Sequence, residues 1–165
     1  MSAPPARILT IDDEDLVREI LTAYLEDSGF EVIQASDGQT GIDLIRRQSP
    51  DLVLCDLRMP GMDGLQVLAA VTRDFPELPI LVVSGMGGMS DAIQALKLGA
   101  WDYVTKPIED MAVLEHAIDH ALERARLRRE NREYREHLEA INEQLRQTVR
   151  QLQEDEAAAR RIQFQ

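Results

Sequence analysis

The chain has 165 residues, 44% of them apolar and 29% charged, and a net charge of −12. That length allows one core of about 100–150 residues plus an appendage, and its apolar runs, such as Ile80 to Val83, fall far short of the ~20 residues of a membrane span. A single cysteine, Cys55, excludes an internal disulfide and fits a reducing compartment.

Residues 1–6 lack the basic start and apolar stretch of a signal peptide, so they are expected to be a disordered N-terminus on a cytoplasmic chain. A first aliphatic run, Arg7–Ile11, reads as a strand and ends at Asp12 and Asp13. An amphipathic stretch at about 14–27 follows, closed by Ser28 and Gly29. The second strand is Glu31–Ala35, and Asp37-Gly38 leads into a helix at 39–48. The third strand, Asp51–Cys55, delivers Asp56, and Pro60-Gly61 turns the chain into a helix at 64–74. The fourth strand, Pro79–Val83, ends at Ser84 before the glycine-rich loop Gly85 to Met89 and a helix at 90–98 that Gly99 closes. The fifth strand, Trp101–Thr105, ends at Lys106, and a last helix begins near residue 109.

Several of these strands are apolar on consecutive positions, as when helices cover both faces of a sheet. Strand–helix alternation of this length predicts a (βα)5 unit with a parallel sheet. In such sheets ligands bind beyond the carboxyl ends of the strands, at a topological switch point. Asp12, Asp13, Asp56, Ser84 and Lys106 therefore converge on one edge. Gathered carboxylates attract a hard divalent cation, and Mg²⁺, which prefers oxygen ligands, suits them. A carboxylate beside it is also a nucleophile able to form an aspartyl-phosphate. Phosphoryl transfer then needs in-line placement and neutralisation of three equatorial oxygens, for which an ammonium and a hydroxyl are suited. Only two lysines occur in the chain, Lys97 and Lys106, so one beside the acids stands out.

The run Ile11-Asp12-Asp13-Glu14 with Arg18, then Asp51 to Asp56, Met59-Pro60-Gly61-Met62-Asp63-Gly64, Ser84-Gly85, Gly99-Ala100 and Tyr103-Val104-Thr105-Lys106-Pro107 resembles the receiver domain of two-component response regulators over about residues 6–122. The resemblance implies a flavodoxin-like doubly wound sheet and a receiver over 7–122. It implies Asp56 as phosphoacceptor, with Mg²⁺ held by Asp13, Asp56 and the backbone carbonyl of Arg58, and by Asp12 through a water. It further implies Lys106 and Ser84 on phosphoryl oxygens, Ser84 and Tyr103 as switch residues, and a cis Lys106–Pro107 bond. Arg58 and Met86 would flank the pocket and tune water access. A sensor histidine kinase or phosphotransfer protein would be the donor.

Three rivals share parts of this pattern. A haloacid-dehalogenase-type hydrolase needs a second acid two residues past the nucleophile, where this chain has Arg58. A nucleotide- or flavin-binding protein would need GxGxxG or GxxxxGK[ST] after the first strand, where Asp12 and Asp13 stand. The third rival is a receiver-shaped dimerisation module that does not depend on phosphorylation. Cys55 reads as core, and His116 with His120, four apart on a helix, as a solvated or packed face for want of a third ligand nearby.

Composition changes near residue 111: nineteen acids against eight bases before it, eleven against ten after it. The first part lacks the basic face that nucleic acid requires. Beyond Pro107 there is neither Gly nor Pro, and residues 123–165 read as a helical linker to an output domain. A 3,4 repeat runs through Leu127, Asn131, Tyr134, Leu138, Ile141, Leu145, Thr148, Leu152, Asp155, Ala159 and Ile162, which predicts a parallel coiled coil and a homodimer. Asn131 would fix register and Glu130 would meet Arg135 of a second copy. The competing reading is a single solvated helix. The segment Ala157-Ala158-Ala159-Arg160-Arg161-Ile162-Gln163 resembles the lead-in to PP2C-like phosphatase domains, an arrangement similar to RssB-type regulators of sigma-factor control.

Overall fold

The computed structural model describes residues 2–85 and 88–163. Five strands alternate with five helices: β1 (Arg7–Ile11), α1 (Asp15–Asp27), β2 (Glu31–Ala35), α2 (Gly38–Gln48), β3 (Leu52–Asp56), α3 (Gly64–Asp74), β4 (Ile80–Ser84), α4 (Gly88–Lys97), β5 (Asp102–Thr105) and α5 (Met111–Gln163). All four strand pairings are parallel, in the order β2-β1-β3-β4-β5. This is the parallel (βα)5 sheet that the strand–helix alternation predicts and the flavodoxin-like fold that the resemblance implies, with a long C-terminal helix.

The period of two along each strand sorts the core into two layers. Ile8, Leu52, Leu54, Leu81, Val83 and Val104 point to one face and pack with Leu21 and Leu25 of α1 and Leu114 and Ile118 of α5. Their neighbours Leu9, Ile11, Val53, Cys55, Ile80 and Val82 point to the other, against Ile42 and Ile45 of α2, Val67 and Val71 of α3, and Ala95 of α4. Every residue of β3 and β4 is buried, which explains their unbroken apolar runs. The strand order reverses between β1 and β3, so the two acid-bearing strand ends meet at the switch point.

Local signals set the helix ends. Asp37 caps α2 by accepting from the Thr40 N–H at 2.8 Å. Asp63 and Gln66 form a reciprocal capping box that starts α3. At the start of α5 the Asp110 carboxylate accepts from the Ala112 N–H at 2.9 Å, so the helix begins at Met111 rather than near 109. Gly99 ends the α4 turn at φ 111°, where an L side chain is disfavoured and a Cβ would meet Thr72.

Two compact units emerge, Met1–Arg126 and Leu127–Gln165. The second is helical through Gln163 and exposed at every described position. Leu127, Tyr134, Leu138, Ile141, Leu145, Val149, Leu152 and Ile162 are each at least 45% exposed there. Among the described residues, no helix is long and apolar enough to cross a membrane.

Candidate functional site

Two strand ends and the residues that follow two other strands deliver the site. Asp12 and Asp13 follow β1 directly, Asp56 is the last residue of β3, Ser84 the last of β4, and Lys106 follows β5. Asp56 and Ser84 thus lie inside their strands, one residue further along than the sequence reading places the strand ends. Both are nearly buried, at 6% and 2% exposure, and Asp12 is at 3%. Asp13 is exposed.

Rigid backbone contacts hold these groups in place. The Asp12 carboxylate accepts from the Glu14 N–H at 2.9 Å, while Arg18 donates to the Asp12 carbonyl at 2.6 Å. Gly64 packs so tightly under Asp56 that a Cβ there would lie 2.2 Å from the Asp56 carbonyl oxygen and 2.5 Å from the Leu57 Cα. Only glycine fits. The Gly64 N–H donates to the Leu57 carbonyl at 2.9 Å, closing the loop that carries Arg58. The Lys106 N–H donates to the Ser84 carbonyl at 3.0 Å, and the Lys106–Pro107 bond is cis.

Lys106 links the two buried acids. Its Nζ donates to Asp12 Oδ2 at 2.7 Å and lies 3.5 Å from Asp56 Oδ2. One carboxylate oxygen from each of Asp12, Asp13 and Asp56 falls within 4.8 Å of the others. Burial raises the Asp56 pKa, and the neighbouring Asp12 charge adds to it; the Lys106 ammonium only partly offsets them. For Lys106 burial is the largest influence and acts downward. The Asp12 hydrogen bond and the Asp56 charge together outweigh it, so its pKa is raised and the ammonium persists. Cys55, fully buried beside them, has its thiol pushed up by burial and then by Asp56, and its Sγ donates to the Asp56 carbonyl at 3.3 Å. It is an inert core residue, not a nucleophile.

The donor set is all oxygen and closely spaced, with two members buried, which fits a hard cation such as Mg²⁺. The Arg58 N–H approaches Asp56 Oδ1 at 3.4 Å, and its guanidinium pairs with Asp91 of α4 at 2.8 Å. Tyr103 is half-buried on β5 and packs against the α2–α4 face of the core. Met86 lies outside the described residues. His116 and His120 are exposed on α5 and line one cleft with Lys106.

Two partnerships escape sequence reading. Arg58 and Asp91 are 33 residues apart, and Tyr24, which donates to Glu115 at 2.8 Å, is 91 residues from it. Neither pairing leaves a local pattern. Only the fold, by bringing α4 beside the β3–α3 loop and α1 beside α5, makes them visible.

Comparison with known proteins agrees with this geometry. The family model described as the response regulator receiver domain matches residues 8–119. The transcriptional regulatory protein GlrR of Escherichia coli K12 is 36% identical over 125 residues, covering 76% of this chain and 28% of its own length. The nitrogen assimilation regulatory protein NtrX of Azorhizobium caulinodans is 36% identical over 132 residues, covering 78% and 29%. The chain therefore spans less than a third of these two relatives. A response regulator receiver domain protein from Clostridium thermocellum superposes with a TM-score of 0.70 at 33% identity, covering 74% of this chain and 98% of its own. The receiver domain of NtrX from Brucella abortus gives 0.67 at 34% identity, covering 70% and 98%. With the acid triad, the strand-end serine and the lysine converging on one edge of a β2-β1-β3-β4-β5 sheet, the chain belongs to the response regulator receiver domain family.

Proposed function

We propose that Asp56 accepts a phosphoryl group and that the chain relays this event through α5 to an output domain. The observation that carries the reading is Lys106, whose ammonium reaches both Asp12 and Asp56 beside an exposed third acid, Asp13. An Asp56 carboxylate oxygen attacks phosphorus, the donor's leaving group departs in line, and a mixed anhydride forms on Asp56. Lys106 then takes one phosphoryl oxygen and the Ser84 hydroxyl another. Asp12, Asp13, Asp56 and the Arg58 carbonyl would hold Mg²⁺, which when bound supplies countercharge to the three acids and the incoming phosphoryl group. Tyr103 follows Ser84 as the switch residue. The complete set of acids, hydroxyl and lysine favours this reading over a dimerisation module independent of phosphorylation.

The donor is a sensor histidine kinase or phosphotransfer protein, and the setting is the cytoplasm. The exposed apolar stripe over residues 127–163 of α5 supports a parallel coiled-coil homodimer, since a long helical segment with no buried face in its own chain needs a partner. The output reading rests on Ala157 to Gln163, which supports a PP2C-like phosphatase acting in stress or sigma-factor control. The names of the relatives above support a second reading, an output that regulates transcription. The deficit of basic residues before residue 111 argues against direct nucleic-acid binding by the receiver itself.

Beryllofluoride, which mimics a phosphoryl group on a carboxylate, tests the site directly. Calorimetric titration of the folded chain reads the binding. Saturable, Mg²⁺-dependent binding that Asp56→Asn abolishes is expected. Equal binding by the folded Asp56→Asn variant would remove Asp56 from the role.

A further inference from the structure

His116 and His120 are exposed on the first turns of α5, where Leu114, Ala117, Ile118 and Ala121 are buried in the receiver. Four residues apart on a helix, the two imidazoles share a face. They line a cleft of about 800 Å³ together with the acids Asp102, Glu109 and Asp110. Within one chain they lack the further ligands of a closed site: among the described residues, the acid triad is the one three-residue set with metal-ligand spacing.

The seven-residue frame of the tail supplies what is missing. α5 is one helix from Met111 to Gln163, so the frame that puts Leu127, Tyr134 and Ile141 at d positions also puts Val113 and His120 at d. His116 then falls at g, beside the seam. Val113 is 57% exposed and Leu127 50% exposed, so the d edge of the stripe stays open on both sides of His120, while Ala117, the preceding a position, is buried in the receiver. Arg124, at the intervening a position, is drawn aside: its guanidinium lies 4.9 Å from the Trp101 ring centre. Glu123, the next g residue, is paired with Arg126 at 2.7 Å. The imidazoles are thus the metal-binding groups that the seam presents at this level.

We propose that His116 and His120 from two copies of this chain, meeting across the two-fold axis of the α5 coiled coil, form a four-imidazole site for a transition-metal dication such as Zn²⁺. Imidazole is a favoured ligand of Zn²⁺, Ni²⁺ and Cu²⁺, and four of them complete a tetrahedral shell for Zn²⁺. The three acids of the cleft outnumber its one lysine, Lys106, and lend it a negative field that favours cation entry. Metal binding and dimer formation are then linked, because a complete site exists only in the pair. This rests on the coiled-coil reading, from which the experiment separates it.

The 165-residue chain is examined by sedimentation and calorimetry with Mg²⁺ in excess, with and without Zn²⁺. The expected result is uptake of one Zn²⁺ per two chains, with the dimer tightened about tenfold at free Zn²⁺ near ten times the site's Kd. His116→Ala and His120→Ala, both at exposed positions and checked for folding by circular dichroism, should each lose that effect. A dimer that forms without Zn²⁺ and is not tightened by it would overturn the metal site alone. So would tightening that survives in His120→Ala. A chain monomeric with and without Zn²⁺ would overturn both the site and the coiled coil. One that dimerises only with Zn²⁺, at one ion per pair, would uphold the site and overturn the metal-free coiled coil.

Discussion

Lys106 faces two nearly buried acids at once, and removing it exposes what they do to each other. In Lys106→Ala, Asp12 and Asp56 lose their shared countercharge. The metal-free variant should unfold about 3 kcal/mol more readily, the scale for breaking a buried pair by removing one partner, and saturating Mg²⁺ should restore part of the loss. Denaturant titrations with and without Mg²⁺ read both effects; a variant as stable as wild type in chelator would contradict the pairing. Asp56 gives a pH signature of defined sign. Its folded pKa is raised by burial above its unfolded value, so its proton-linked stability is full below the ordinary Asp range and is lost as pH rises through the raised value. In chelator, the stability of Asp56→Asn relative to wild type should therefore grow between acid and neutral pH. A relative stability that falls over that interval would contradict the sign.

The elements place these residues with little slack, most visibly at the start of α3. Gly64→Ala forces a Cβ into the backbone of Asp56 and Leu57, and should destabilise by roughly 1–3 kcal/mol, as overpacking does. Because the clash falls on the carbonyl of Asp56, the proposed phosphoacceptor, phosphorylation by a small donor should slow by more than the lost stability explains. Thermal melts and labelling rates of the same variant separate the two. Much of this level was legible in the sequence. The aliphatic runs, the amphipathic stretches between them and the Gly/Pro punctuation locate all ten elements, and the order of Asp12, Asp13, Asp56, Ser84 and Lys106 along the chain locates the candidate site. Strand ends differ by a residue, because Asp56 and Ser84 read as loop residues by polarity yet continue the ladder, paired with Val83 and Thr105. That Lys106 takes its shorter contact with Asp12, 94 residues away, rather than with Asp56 was not legible. Convergence of strand ends is implied by topology, but which acid takes the shorter contact depends on side-chain geometry that no local pattern encodes.

For the whole molecule, the receiver supplies a buried two-layer core, whereas residues 127–163 bury nothing within the chain. The proposed coiled coil takes that burial from a second copy, with Leu138 and Leu145 at the centre of its seam. Leu138→Lys should convert the dimer to monomer in sedimentation and lower helicity, while the receiver's melting transition stays within about 0.5 kcal/mol of wild type, as for an exposed substitution. A variant that remains fully dimeric would point away from this seam. In the proposed relay everything downstream depends on the first event, phosphoryl capture at the strand ends. Intact-mass spectrometry after incubation with acetyl phosphate and Mg²⁺ tests it most directly, comparing wild type with Asp56→Asn. An adduct of about 80 Da, the mass that HPO₃ adds to an aspartyl nucleophile, should appear in wild type, require Mg²⁺ and vanish in the variant. A folded wild-type chain that stays unmodified, or an adduct that persists in Asp56→Asn, would contradict the account.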